Sequence, residues 1–210
     1  TVYMMEDFKV TPLGNEQIRR FLTGAVASSI YANIISTDGH DFYVLHNCSY
    51  TFALELETGL WTRWGFAQTA SFDIRYSFNM KTSAAYTPVF TRASTQILYK
   101  FSPTLYQDDG STMTVQWITS NEEFETYKQK TMSSLTFWAD KPTSSSSVLV
   151  QWSDDDYQTF NTGISVDLYQ ERPDLSRLGR FRRRAFKFTH ESNHPLRIHG
   201  IEVDINMGVH

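Results

Sequence analysis

The chain has 210 residues, 40 % hydrophobic and 20 % charged, the proportions of a globular protein and not of a disordered one. Its formal net charge of -4 and pI near 5.8 exclude a general nucleic-acid binder, whose affinity comes mostly from positive charge. The single cysteine, Cys48, excludes an internal disulfide, and no apolar run reaches the roughly 20 residues a membrane helix needs.

In chain order, TVYMMEDF reads as a strand without an initiator Met or signal peptide, and is expected to continue a longer polypeptide. One helix is predicted over EQIRRFL: Asn15 caps it, Glu16 sits in the first turn, and Ile18, Phe21 and Leu22 share a face. Pro12 equally suits a slightly earlier helix start. Asp38-Gly39 predicts a tight hairpin, because a type I′ turn needs positive φ at both central residues. HDFYVLHN then alternates Phe42, Val44 and His46 with Tyr43 and Leu45. TFALELETGLWTRW places Phe52, Leu54 and Leu56 on one face, turns at Thr58-Gly59 and resumes as a strand carrying Trp61.

Asn47-Cys48-Ser49 fits a glycosylation pattern that matters only on a secretory route. Cys48 has no obvious His partner and is expected to pack as a small apolar residue. Further turns are predicted over Gln107-Asp108-Asp109-Gly110 and from Lys141-Pro142 through Ser144 to Ser147. Strands punctuated this often define an all-β chain: a sandwich, a barrel or a propeller.

Val115-Gln116-Trp117 returns as Val150-Gln151-Trp152, 35 residues on (117 against 152), a period typical of repeat architectures such as propellers. The second copy runs into Ser153-Asp154-Asp155-Asp156-Tyr157-Gln158-Thr159-Phe160. That stretch resembles the Asp-box turn of propeller blades at Ser153, Asp155, Thr159 and Phe160, with Tyr157 where glycine is usual. The reading is structural: the Asp carboxylate accepts backbone N–H bonds within the turn, the aromatic packs between strands, and neither is expected to bind calcium or catalyse.

GRFRRRAFKF, taken as a strand, puts Arg180, Arg182 and Arg184 on one face and Arg183 and Lys187 on the other, with a change of environment at a bulge. Three readings compete for Arg180, Arg182, Arg183, Arg184 and Lys187: a solvated face paired with carboxylates, a contact with another subunit or tail protein, or a phosphate contact with DNA. No nucleophile elbow, phosphate-binding glycine loop or His-Glu-x-x-His motif is present. His190, His194 and His199 lie around a turn without metal-ligand spacing and are expected at the surface. Glu122, Glu123 and Glu125 are expected to be solvated. No enzyme activity, cofactor, metal or membrane contact is therefore expected.

TVYMMEDFKVTPLGNEQI, GHDFYVLHNCSYTFALELETGLWTRW, RLGRFRRRAFKF and HPLRIHGIEVDI, in that order, resemble the packaged-DNA stabilisation proteins of short-tailed bacteriophages, the tail-hub or nozzle proteins below the portal. The resemblance covers most of the chain, least over Leu60 to Ile118. It implies that residues 1–210 form one β-propeller-type domain, some blades from the C-terminal part of a longer subunit, plus the short N-terminal helix. It implies a structural virion protein, assembled in the host cytoplasm into a ring of copies. That ring would extend the DNA channel, retain packaged DNA and dock to tail and portal-adaptor proteins, with non-specific contact to channel DNA as a lesser use. It brings no catalytic residues. The rival readings are a carbohydrate-binding or sialidase-like propeller module, suggested by the Asp turn with Tyr106 and Trp138, and a generic β-sandwich binding module.

Overall fold

A computed structural model describes residues 2–47, 49–65, 74–81, 86–92, 97–102 and 104–208; Cys48 and its expected packing lie outside them. The chain is all-β with several antiparallel sheets and one short helix near its N-terminus. It divides into two compact units, Thr1–Thr104 and Leu105–His210. No helix of the described residues is long and apolar enough to cross a membrane.

The first unit opens with a two-stranded hairpin, β1 (Tyr3–Glu6) and β2 (Lys9–Pro12), turned by Asp7 and Phe8 at positive φ. Helix α1 (Glu16–Thr23) follows, and Asn15 caps it by accepting the Ile18 N–H at 2.9 Å. A meander of β3 (Ile30–Thr37), β4 (His40–Asn47), β5 (Tyr50–Glu55) and β6 (Trp61–Trp64) forms one sheet. Its first turn is the expected Asp38-Gly39, at φ 52° and 82°. A second meander holds β7 (Ile74–Lys81), β8 (Tyr86–Arg92) and β9 (Leu98–Lys100).

The alternation seen in the sequence does not split this sheet into a wet and a dry face, because both faces are covered. Ile35, Val44 and Ala53 pack against Ile74 and Phe90 of the second meander, while Leu45 and Phe52 pack against Ile18 of α1. Leu56, expected to line up with Phe52 and Leu54, lies beyond the end of β5 and is 45 % exposed.

The second unit begins with a small hairpin, β10 (Gln107–Asp108) and β11 (Ser111–Thr112), closed by Asp109-Gly110. The next strands are β12 (Val115–Ile118), β13 (Lys130–Ala139), β14 (Ser147–Ser153) and β15 (Ile164–Asp167). They are followed by β16 (Asp174–Ser176), β17 (Arg180–Phe181), β18 (Ala185–His190) and β19 (Ile198–Met207). One sheet runs β12-β18-β14-β15, and the other is centred on β13 with β16, β17 and β19. The two share one core, in which Val148, Val150, Phe186 and Phe188 meet Met132, Leu135 and Phe137. Phe188 stacks on Trp117 at 4.9 Å in its own sheet and meets Phe137 of the other edge-on at 5.7 Å. This is a two-layer sandwich.

That arrangement corrects the reading of the 35-residue repeat. The two Val-Gln-Trp strands flank β18 in one sheet, so they do not occupy matching places in successive blades. Val115 and Val148 both face His190, which puts the structural equivalence two residues off the sequence match.

Candidate functional site

Two runs of the second unit come together: the three aspartates after β14 and the arginine stretch between β17 and β18. The turn is built first, by neighbours in sequence. Ser153 Oγ donates to Asp155 Oδ1 at 2.7 Å and accepts the Tyr157 N–H at 3.0 Å. Asp155 Oδ1 also accepts the Thr159 N–H at 2.9 Å, and Oδ2 accepts the Thr159 hydroxyl at 2.6 Å. The Thr159 hydroxyl, the Thr159 amide and the Ser153 hydroxyl hold the Asp155 carboxyl down to a pKa of about 2.

Tyr157 takes the usual glycine place at φ 67°, directly after Asp156 at φ 59°, and its hydroxyl donates to the Thr119 carbonyl. The turn thus keeps its left-handed geometry without glycine. Asn161, which sequence reasoning passed over, ties the turn to β14: its Oδ1 accepts the Trp152 N–H at 2.9 Å and its backbone carbonyl accepts from Gln151 Nε2 at 2.8 Å. Phe160 is half-buried, with Lys187 Nζ 4.5 Å above its ring.

The flanking aspartates face the arginines. Arg184, 1 % exposed, clamps Asp154 bidentately, Nε to Oδ1 at 2.7 Å and Nη2 to Oδ2 at 2.8 Å. Its Nη1 donates to the Leu178 carbonyl at 2.7 Å, and its guanidinium lies 4.3 Å from the Phe181 ring centroid. Arg183 pairs with Asp156, which also accepts from Asn121. Arg182 is exposed and donates to the Tyr127 carbonyl at 3.2 Å. Arg180 is exposed on β17, and no polar partner of its guanidinium is found among the described residues.

The expected single strand is therefore two. β17 pairs with β13 in one sheet, the chain bends at Arg182-Arg183, and β18 continues in the other. The change of environment is a crossing between layers, and the five basic residues do not share a face. Arg184 is withdrawn into the core, and Lys187 joins the Asp turn.

Of the three histidines expected at the surface, His199 is exposed and His194 half-buried, and only His190 departs from expectation. His190 is buried, with Nε2 3.0 Å from Ser146 Oγ, and burial pushes its pKa down. His194 meets Ser144, and His199 meets Asp140. Among the described residues, no group of three or more His, Cys, Asp or Glu side chains is arranged to hold a metal ion. Glu122 accepts from Ser120, and its backbone bridges to Arg184.

Lys130, likewise missed from sequence, is fully buried and donates to the carbonyls of Thr126 and Lys128 beneath the Phe181 ring. Only its apolar neighbours in space reveal it. A shallow hollow of about 300 Å³ is lined by Trp152, Asp154, Asp155, Thr159, Phe160 and Asn161, but both carboxylates are already occupied by donors of the chain itself.

These features define an all-β protein whose Asp turn and Arg184–Asp154 clamp fix neighbouring strands of one sheet, the end of β14 and the start of β18. Compared with family models and with curated proteins, the chain matches none.

Proposed function

We propose that this chain is a non-catalytic assembly subunit, a tail-hub or nozzle component of a short-tailed phage virion that joins other copies in a ring. The carrying observation is an open apolar sheet face. Tyr76, Phe78 and Met80 alternate along β7, and Leu98 lies in register on β9; they are 64, 49, 44 and 60 % exposed. An apolar stripe of this kind marks a surface built to be covered.

Separately, the first hairpin leaves Met5 74 % and Phe8, at its tip, 99 % exposed. The polar groups of the Asp turn, by contrast, are consumed inside the chain. In this reading the propeller-type portion is the first unit, where one four-stranded and one three-stranded meander pack face to face as neighbouring blades do. The phage assignment itself rests on the order of the sequence stretches that resemble the tail-hub proteins.

Light scattering across a concentration series, with negative-stain images, tests the reading. A closed ring is expected, alone or on adding tail and portal-adaptor proteins. A monomer under all of these conditions overturns it. Tight binding to a glycan array in that monomeric state turns the assignment to a carbohydrate-binding module.

A further inference from the structure

The sheet centred on β13 has two open edges of opposite charge. Lys130 and Thr131 pair with β17 and also with β19; Ser134 to Thr136 pair with β16 and also with β19. A strand has only two hydrogen-bonding sides, so β16 and β17 share one and β19 occupies the other. Among the described residues, none of these three strands pairs with a strand other than β13.

On the β16/β17 side, Arg177 and Arg180 are exposed, and their guanidiniums have no partner among the described residues. Asp174 lies toward the far end of that side. On β19, Glu202 and Asp204 are exposed and without a cation among the described residues. Glu202 accepts the indole N–H of Trp138 at 3.3 Å, and that tryptophan is 61 % exposed.

Opposite Trp138 in the ladder stands Gly200. Its φ is not in the left-handed region, and a Cβ built there would touch nothing within 4 Å. Neither crowding nor a left-handed φ demands glycine here, although the ladder shifts register beside it, between Trp138 and Ala139. What it leaves is an open notch beside the indole, where another surface can approach the backbone closely.

We propose that the two edges are halves of one contact between copies of this chain. The Arg177/Arg180 edge of one copy docks on the Glu202/Asp204 edge of the next, with a guanidinium against Trp138. Guanidinium groups pair with carboxylates and stack on indole faces, and Trp and Arg dominate interface energetics. Each edge repels its own kind, so it does not pair with the like edge of a second copy. In the ring reading these unlike halves meet head to tail, the type of contact that closes into rings. The inference rests on the ring reading and gives it a surface.

Two variants of the whole chain test it, Arg177→Glu/Arg180→Glu and Glu202→Lys/Asp204→Lys, by sedimentation velocity at a concentration where the wild type is assembled. Each alone should lose self-association by at least about tenfold in Kd. Mixed in equal amounts they should assemble again, because each now offers the complement of the other's reversed edge. That recovery also shows both variants to be folded.

If the wild type assembles and either variant still does, or if the mixture fails to recover, this contact is wrong while the ring reading stands. If the wild type is monomeric throughout, the ring reading falls and takes the contact with it. If the arginine variant keeps its mass but loses affinity for a 30-base-pair duplex, the arginine edge is a DNA contact and the proposal is overturned.

Discussion

Arg184, 1 % exposed, and Asp154, 38 % exposed, form a bidentate pair that joins the end of β14 to the start of β18. The guanidinium is the buried partner, so its charge depends on this carboxylate and on the Leu178 carbonyl. Asp154→Ala should lower stability by about 2–4 kcal/mol, less than for a wholly buried pair because water reaches Asp154. Arg184→Lys should not rescue the site, since an ammonium cannot reproduce the fork. Urea denaturation midpoints at constant m-value give the numbers.

Next door, Arg183 pairs with Asp156, but the side chains are 38 and 41 % exposed. Arg183→Ala should therefore change stability by no more than about 1 kcal/mol. A loss equal to that of Asp154→Ala would mean that the two pairs act as one network. The same urea titrations decide it.

Asp155 sets a pH dependence with a definite sign. Its folded pKa of about 2 lies below the ordinary aspartate value of 3.8. The unfolded chain therefore binds a proton first as pH falls. The stabilisation is complete above roughly pH 4 and is lost progressively down to about pH 2. Asp155→Asn should lower the stability plateau near neutrality and flatten the profile between those limits, read from thermal melts at stepped pH. An unchanged slope in that window would remove the carboxylate from its role in the turn.

Gly163, between the Asp turn and β15, has φ 82°, and a Cβ there would sit 2.7 Å from Gln151 Cγ and 2.9 Å from Leu149 Cδ1. Gly163→Ala combines left-handed strain with overpacking and should cost roughly 2–4 kcal/mol. Gly179, at φ 78° with nothing within 4 Å, should cost only the backbone part, about 1–2 kcal/mol. Comparing the two melting temperatures separates the steric from the conformational contribution.

Local chemistry was legible without coordinates. Asn15 caps α1, Asp38-Gly39 turns a hairpin, and Ser153, Asp155 and Thr159 close on one another, because each acts over a few residues through allowed dihedrals and short-range hydrogen bonds. The all-β character followed from the same source.

What joins residues far apart was not legible. Arg184 meets Asp154 across 30 positions, and no spacing distinguishes it from Arg180, which stays at the surface. The strand alternation that grouped Arg180, Arg182 and Arg184 fails because the chain changes sheets at Arg182-Arg183. The two Val-Gln-Trp strands fall on either side of β18 because a shared core, not a repeated local pattern, decides which strands become neighbours. Sequence determined the turns, where the interacting groups are bonded neighbours. Tertiary structure alone decided which charges are buried, paired or free, because burial is a property of what packs against a residue and not of the residue itself.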